Sequence, residues 1–157
     1  MAQAYHSLFG LRLIGLRFFT VYGPWGRPDM AYFLFAEKMM RGEPIDLFGQ
    51  GMLRRDFTYI DDIVDGVVAA LFCQKPYGVY NLGNCRSESV QTLVECLERS
   101  LGQKAILHRT DQVAGDMVET CADIRRAKAD LGFSPKTALS EGIDRFAQWY
   151  LSWALNR

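Results

Sequence analysis

The sequence lacks the features that direct a protein to metal, nucleic acid or membrane. Among 157 residues there are two histidines, His6 and His108, and the four cysteines show no CxxC spacing, so no metal-ligand set is present. Acidic and basic residues balance at 18 each, which removes the global field that recruits nucleic acid or anionic lipid. No run approaches the roughly 18 apolar residues that cross a bilayer. We therefore expect no metal, no nucleic acid and no membrane among its partners.

Several motifs that carry chemistry are also missing. The chain has no GxxGxxG loop for the pyrophosphate of a dinucleotide and no GxSxG turn for a nucleophile. No charged-then-apolar leader opens the sequence, and the cysteines show no disulfide or metal pattern, so we expect reduced cysteines and a cytoplasmic location. The length suits one compact domain with a real hydrophobic core.

The sequence does contain alternating strand-like and helix-like segments, which indicate an α/β fold. Residues 13–19 form a mostly apolar run without alternation, which is typical of a strand covered on both faces of a parallel sheet. The clearest helical periodicity lies at 90–101, with Ser87 or Ser89 as its cap and Gly102 as its end. Further helices are expected at 1–9 with Gly10 as its end, and from Asp29 as its cap to Arg41 with Gly42 as its end. Others are expected from a cap at Asp61 or Asp62, behind Asp123, and from a cap near Ser140.

Polar groups follow the first strand in the segment RFFTVYGPWGRPDM, residues 17–30. Ligands of parallel α/β sheets bind beyond the carboxyl ends of the strands, so Thr20 and Arg27 are well placed for one. A helix beginning near Asp29 would offer free N–H groups to an anion, with Met30 contributing its backbone. The alternative is a turn that is merely stiffened by proline, with Arg27 in solvent.

A second dense segment, RRDFTYIDDIVDG, sets two arginines ahead of four carboxylates at residues 54–66. The planar guanidinium suits a phosphate. On a strand Arg54 and Arg55 point to opposite faces, so that one could meet a ligand and the other solvent. The carboxylates are interpreted as helix caps or structural acceptors, with Asp56 holding an arginine or a backbone amide. From periodicity alone, a plain surface role for both arginines is favoured.

Four motifs in order carry a resemblance to a known family: LRFFTVYGPWGRPDM, RRDFTYIDDIVDGVV, YNLGN and GDMVETCAD. Together they resemble the carboxyl-terminal half of the extended short-chain dehydrogenase/reductases, within the NAD-dependent epimerase/dehydratase family, and most closely the UDP-glucuronate 4-epimerases. The resemblance covers nearly the whole chain. It implies that residues 1–157 form a substrate-binding lobe plus the last strands of a Rossmann-like parallel sheet, which is an incomplete NAD-binding domain.

The family's catalytic groups precede the matched segment. They are a glycine-rich NAD loop, a Ser or Thr, and a YxxxK pair whose Tyr removes a proton from the sugar's C4 hydroxyl while hydride passes to NAD. The resemblance implies that Met1 falls a few residues after the Lys, and Tyr5 is followed four residues later by Phe9. We therefore assign no catalytic residue and expect NAD to serve the full-length family without binding this chain alone.

The resemblance also implies a UDP-sugar site. Thr20 is implied to face the sugar carboxylate, and Arg27 to belong to a loop that closes over the substrate. Met30 is implied to lie at the helix end offered to the diphosphate, which Arg55 clasps.

The remaining implied contacts are to the uridine. Phe48 is implied to pack at the uracil and Asp116 to accept the ribose hydroxyls. Relatives of the galactose type carry a second phosphate-binding Arg three residues before that acidic residue, whereas this sequence has Val113.

The leading hypothesis is the UDP-glucuronate-binding half of an NAD-dependent 4-epimerase, an isomerase of the kind that commonly feeds polysaccharide biosynthesis, inactive by itself. The alternatives are the same half of a sugar-nucleotide decarboxylase or dehydratase, a stand-alone nucleotide-sugar binding module, and a fragment that acts only through protein contact. Because helices that should cover the sheet remnant are partly absent, we expect self-association, strand exchange or pairing with a separate amino-terminal polypeptide.

Overall fold

A computed structural model describes residues 1–112 and 115–155. Over these residues the helices are α1 (Ala2–Phe9), α2 (Ala31–Arg41), α3 (Ile60–Leu71), α4 (Val90–Leu101), α5 (Arg125–Leu131) and α6 (Leu139–Ala154). The strands are β1 (Leu13–Phe18), β2 (Thr20–Tyr22), β3 (Pro44–Leu47), β4 (Arg54–Arg55), β5 (Phe57–Tyr59), β6 (Tyr77–Leu82), β7 (Glu88–Ser89) and β8 (Ile106–Arg109). The predicted α/β class is confirmed. None of the helices in the described ranges is long and apolar enough to span a membrane.

The strands pair two by two, and three of the four pairs are parallel. Strand β1 pairs with β6, β2 with β5, and β3 with β8 in parallel, whereas β4 and β7 are antiparallel. Strands β1 and β2 are one run of chain that changes partner at Phe19. The Phe19 N–H donates to the Leu82 carbonyl at 3.3 Å, and the Thr20 N–H donates to the Asp56 carbonyl at 3.0 Å. This change of partner carries the chain from one half of the molecule to the other.

Two hydrophobic cores divide the molecule. The larger core lies in what we call the helical lobe, which comprises α2, α4 and α6 with β2, β3, β5 and β8, and it is rich in aromatic rings. The smaller core lies in the parallel-strand region, which comprises β1, β6, α1, α3 and α5. Its buried residues are Ile63, Tyr80, Leu82, Ala127 and Phe133.

Local signals in the sequence predicted several helix ends correctly. Gly10, Gly42 and Gly102 follow α1, α2 and α4 in the left-handed conformation, with φ of 65°, 67° and 66°. The Ser89 hydroxyl accepts the Thr92 N–H at 3.0 Å and so caps α4. The predicted cap and end of α4 are therefore confirmed.

The predicted cap of α2 is wrong. The helix begins at Ala31 with Met30 as its N-cap residue and without a side-chain cap. The Asp29 carboxylate instead accepts a hydrogen bond from Arg27 Nε at 3.0 Å. A side chain two residues away therefore takes the carboxylate that the helix would have used.

The predicted caps of α3 and α6 are also wrong. Helix α3 begins one residue before Asp61 without a side-chain cap. The neighbouring Asp62 carboxylate is buried and accepts the N–H groups of Lys136 at 3.1 Å and Thr137 at 3.0 Å. Ser140 is the second residue of α6 and does not cap it. Asp62 thus fastens the start of α3 to the segment before α6.

The expectation that β1 is covered on both faces is wrong for the described chain. Its residues are half-buried or exposed, and the Phe18 side chain keeps 51% of its surface in solvent. Leu8 and Phe9 of α1 are exposed beside it, as are Leu71 and Phe72 at the end of α3. The parallel-strand region therefore presents apolar side chains to solvent on more than one of its elements.

Candidate functional site

A cavity of about 280 Å³ opens where β2, the amino end of α2, strand β4 and a short 3-10 turn at Phe48–Gly51 meet. Five of the six site residues predicted from the sequence line it. They are Thr20, Met30, Phe48, Arg55 and Asp116. Because these residues come from five separate elements or segments of the chain, the fold itself brings them together.

Thr20 reaches the cavity because the chain changes partner just before it. It is the first residue of β2, and its N–H bonds the Asp56 carbonyl across the β2–β5 pair. Its side chain is half-buried on the cavity wall. A hydroxyl held in this way can donate a hydrogen bond to an anionic group or accept one from a hydroxyl.

The amino end of α2 faces the same cavity. The Met30 carbonyl accepts the N–H groups of Phe33 and Leu34, both at 3.0 Å, and these are the first bonds of the helix. The N–H groups of Ala31 and Tyr32 precede that bonding, and both residues line the cavity. The positive end of the helix dipole is therefore directed at the cavity, which favours an anionic ligand.

Arg55 supplies a guanidinium to the same cavity. Its Nη2 donates to Asp116 Oδ1 at 2.8 Å, and its Nη1 donates to the carbonyls of Arg54 at 2.9 Å and Met117 at 2.6 Å. The side chain is 20% exposed, so the charge lies at the mouth of the cavity and is not freely solvated. A phosphate entering the cavity would compete with Asp116 for this guanidinium.

Arg54 points away from the cavity, as the strand geometry predicted. Its guanidinium donates to the Ser87 carbonyl and lies 3.4 Å from a Glu119 carboxylate oxygen. Its backbone N–H donates to the Val118 carbonyl at 2.8 Å, which fastens the segment carrying Asp116 along β4. One arginine therefore fixes the segment while its neighbour faces the cavity.

Phe48 provides an aromatic wall. It follows β3 as the first residue of the 3-10 turn, and almost half of its side chain is exposed. The turn bends sharply because Gly49 and Gln50 both adopt φ of 56°. A Cβ on Gly49 would lie 2.9 Å from Leu53 Cγ, so this close turn requires glycine.

Arg27 is the one predicted site residue that lies outside this cavity. It lines a second cavity of about 360 Å³ beside the turn after β2, and Met30 contributes to both cavities. The Arg27 side chain is 77% exposed and paired with Asp29, and the hydrogen bond from Arg27 holds the pKa of the Asp29 carboxyl below its usual value. Its predicted role as part of a closing loop stays a prediction.

Sequence reasoning missed apolar wall residues that a simple signal identifies. Leu53, Arg55 and Phe57 all line the cavity, and they occupy alternate positions on an extended segment. Side chains two positions apart on a strand lie on the same face, so Leu53 and Phe57 line the cavity together with Arg55. The wall residue Val90, at the start of α4, has no comparable local signal.

The Asp56 carboxylate, which the sequence singled out as a structural acceptor, binds backbone groups. Asp56 is fully buried, and its carboxylate accepts the N–H groups of Asn84 at 2.6 Å, Cys85 at 3.0 Å and Ala122 at 2.9 Å, so the prediction that it holds backbone amides is confirmed. Within residues 1–112 and 115–155 no three metal-binding side chains cluster. Val113, where some relatives carry a phosphate-binding Arg, lies outside the described residues.

Comparison with known proteins identifies the family. Residues 1–83, more than half of the chain, match the NAD dependent epimerase/dehydratase family. The chain belongs to this family, as its four motifs predicted. The fold is accordingly that of part of a Rossmann-like epimerase.

Individual relatives agree with this assignment. An uncharacterized protein of Methanocaldococcus jannaschii is 43% identical over 96% of this chain and 46% of its own length. UDP-glucuronate 4-epimerase 4 of Arabidopsis thaliana is 45% identical over 98% of this chain and 39% of its own length. A solved UDP-glucuronic acid 4-epimerase from Bacillus cereus, in complex with UDP-glucuronic acid and NAD, superposes with a TM-score of 0.88 at 36% identity, covering 96% of this chain and 49% of that one. The chain spans about half the length of the curated relatives it matches.

The residues present do not make a complete NAD site. The sequence has no glycine-rich loop to receive a pyrophosphate. The second cavity, next to β1 and β2, is walled mainly by aromatic and apolar residues such as Phe18, Val21 and Trp25, with Arg27 at its edge. These side chains can pack against an aromatic ring of a ligand, but they cannot bind a pyrophosphate as a glycine-rich loop does.

Proposed function

We propose that this chain is the nucleotide-sugar-binding half of an NAD-dependent UDP-glucuronate 4-epimerase. One observation carries the proposal: Arg55 and the residues at the amino end of α2 line a single cavity. A guanidinium and a helix amino terminus are two of the groups that proteins use most readily to bind phosphate. A diphosphate placed between them would receive hydrogen bonds and positive charge from both walls.

The uridine half of the ligand accounts for two more wall residues. Phe48 offers an exposed ring edge and face to the uracil base at the mouth of the cavity. When the diphosphate takes over the Arg55 guanidinium, the Asp116 carboxylate is released to accept hydrogen bonds from the ribose hydroxyls. Binding therefore exchanges one internal ion pair for two contacts with the ligand.

The sugar half would extend towards β2. Thr20, the first residue of β2, would hydrogen-bond the sugar carboxylate. Arg27 would approach the sugar from the second cavity once the turn after β2 closes, giving up its pairing with Asp29. Met30 lines both cavities, so we expect one extended ligand to reach from one to the other.

Epimerisation needs a proton acceptor and a hydride acceptor in addition to this binding site. No Tyr of the sequence is followed four residues later by Lys. We therefore expect no epimerisation by these residues alone. A polypeptide that carries the family's YxxxK pair and NAD loop would have to dock on the parallel-strand region to complete the activity.

Calorimetric titration with UDP and UDP-glucuronate tests the binding site. We expect both to bind, and Arg55→Gln to weaken both by about 10- to 100-fold, the range for hydrogen bonds to charged groups. Arg41→Gln is the matched control, because Arg41 pairs with Glu37 at the other end of α2 and does not line the cavity, and it should leave affinity unchanged. No heat at millimolar ligand, or equal losses for the two variants, would eliminate the proposed site.

A second titration tests the sugar assignment. Thr20→Val keeps the shape of the side chain and removes its hydroxyl, so it should weaken UDP-glucuronate by about 5- to 10-fold and leave UDP unaffected. Reconstitution with the NAD-binding half of a family member should then yield UDP-galacturonate. A pentose product would instead assign the chain to a decarboxylase.

A further inference from the structure

Two exposed cysteines meet outside the cavity. Cys85 lies in the turn after β6, and Cys121 lies at the end of the segment that carries Asp116. Although 36 positions separate them in the sequence, the Cys85 side chain is close enough to Cys121 to help raise the pKa of its thiol. The other two cysteines lie elsewhere, Cys96 buried in α4 and Cys73 after α3.

The backbones of this pair are held together by one carboxylate oxygen. Asp56 Oδ2 accepts the Cys85 N–H at 3.0 Å and the N–H of Ala122, the residue after Cys121, at 2.9 Å. The two segments also pack closely, since a Cβ on Gly83 would lie only 2.4 Å from the Ala122 Cβ. The buried Asp56 thus fixes both cysteines at their backbones independently of their side chains.

From this geometry we infer that Cys85 and Cys121 are a site of reversible oxidation, at which a peroxide joins them in an intramolecular disulfide. One thiolate attacks the peroxide, whose O–O bond breaks, and becomes a sulfenic acid. The second thiol attacks that sulfur, the S–S bond forms, and the hydroxyl leaves as water. With hydrogen peroxide, the two thiols lose two electrons and two protons in total, and the peroxide is reduced to two waters.

The bond would link the turn after β6 to the segment that supplies the cavity residue Asp116. Cys85 follows β6 of the parallel-strand region, whereas Cys121 ends the segment that lies along β4 and supplies Asp116. Partial desolvation, with the nearby Asp56, Cys85 and Glu119, raises the pKa of the Cys121 thiol. The raised pKa keeps the Cys121 thiol protonated to a higher pH than usual, so the disulfide requires an added peroxide.

Peptide mapping tests the pair directly. Trypsin does not cut the bond between Lys75 and Pro76, so Cys73 and Cys85 share one tryptic peptide in the parent chain. The Cys73→Ser variant removes this overlap, and each remaining cysteine then falls in a separate peptide. After exposure to hydrogen peroxide, the peptide with Cys85 should be recovered crosslinked to the peptide with Cys121. The crosslink should disappear on reduction, and the oxidised protein should unfold at a higher temperature than the reduced one.

Two further variants complete the test. Adding Cys121→Ser should abolish both the crosslink and the thermal shift, whereas adding Cys96→Ser should leave both unchanged. Crosslinks that form only between molecules, or that involve Cys96, would overturn the inference. Recovery of irreversibly oxidised, unlinked Cys85 and Cys121 would overturn it as well. None of these outcomes depends on nucleotide binding, so the result is independent of the proposed function.

Discussion

The helical lobe and the parallel-strand region are built from one chain but differ in how completely they are buried. In the helical lobe Phe146 is inaccessible to solvent, and its ring lies 4.9 Å from that of Tyr32 and 5.8 Å from that of Tyr150, between ring centroids. In the parallel-strand region Leu71 keeps 76% of its surface in solvent, and Phe18 on β1 is also exposed. One region has a closed core, and the other has an open one.

This difference indicates which region we expect to pack against another polypeptide. A parallel sheet normally has helices on both faces and strands on both sides of its inner strands. Within residues 1–112 and 115–155, β1 has one strand partner, β6. We therefore expect mutations in the helical lobe to change the free energy of unfolding through its own core. Mutations in the parallel-strand region should instead act mainly on association with another chain.

The largest expected effect lies in the closed core. Phe146→Ala should lower the free energy of unfolding by about 3–5 kcal/mol, because it leaves a cavity among packed rings. Leu8→Ala, on the exposed side of α1, should change it by less than about 0.5 kcal/mol. Urea denaturation followed by tryptophan fluorescence compares the two variants. Similar losses for both would show that the two regions are buried alike in solution.

A somewhat smaller effect is expected where the two regions meet. Asp56→Ala should cost about 3 kcal/mol, because it leaves the N–H groups of Asn84, Cys85 and Ala122 without their charged acceptor. The exposed Asp65 on α3 provides the control, and Asp65→Ala should be nearly neutral. Hydrogen exchange should show faster exchange of those three amides in the Asp56 variant. Unchanged exchange would contradict the role given to this carboxylate.

The next prediction concerns association through the open region. We expect the chain to self-associate at micromolar concentration, and the double variant Leu71→Glu and Phe72→Glu to weaken association by about 100-fold, because it brings like charges together in the contact. Met52→Glu places the same charge at an exposed apolar position outside this region and should have little effect. Sedimentation equilibrium measures all three. A well-folded monomeric parent chain would remove the basis for this prediction.

Features of the fold that depend on neighbouring residues were predictable from the sequence. The period of α4, its Ser89 cap and its Gly102 end all depend on residues within a few positions of one another. The caps assigned to Asp29 and Asp61 or Asp62 failed because a short acidic side chain near a helix start has competing partners. Asp62 binds backbone groups 74 and 75 positions away, which no local pattern reveals.

The candidate site shows the same limit. Local chemistry identified Arg55 as a phosphate ligand in principle but left a plain surface role favoured. The family resemblance brought Arg55 and Asp116 into one site, and the structure places them 2.8 Å apart although 61 positions separate them. The alternation of Leu53, Arg55 and Phe57 was visible in the sequence, whereas no local pattern showed that Arg27 pairs with Asp29 and lies outside the cavity.

The smallest expected effect separates local from long-range stabilisation of a helix start. Helix α4 is capped by its own Ser89, whereas α3 has no side-chain cap at its start and is tied through Asp62 to the segment before α6. Ser89→Ala should therefore cost about 1 kcal/mol in urea denaturation, and Ser89→Asp, which keeps an acceptor for the Thr92 N–H, should cost much less. Equal losses for the two variants would mean that Ser89 acts through β7 and its pairing with β4, and not as a cap.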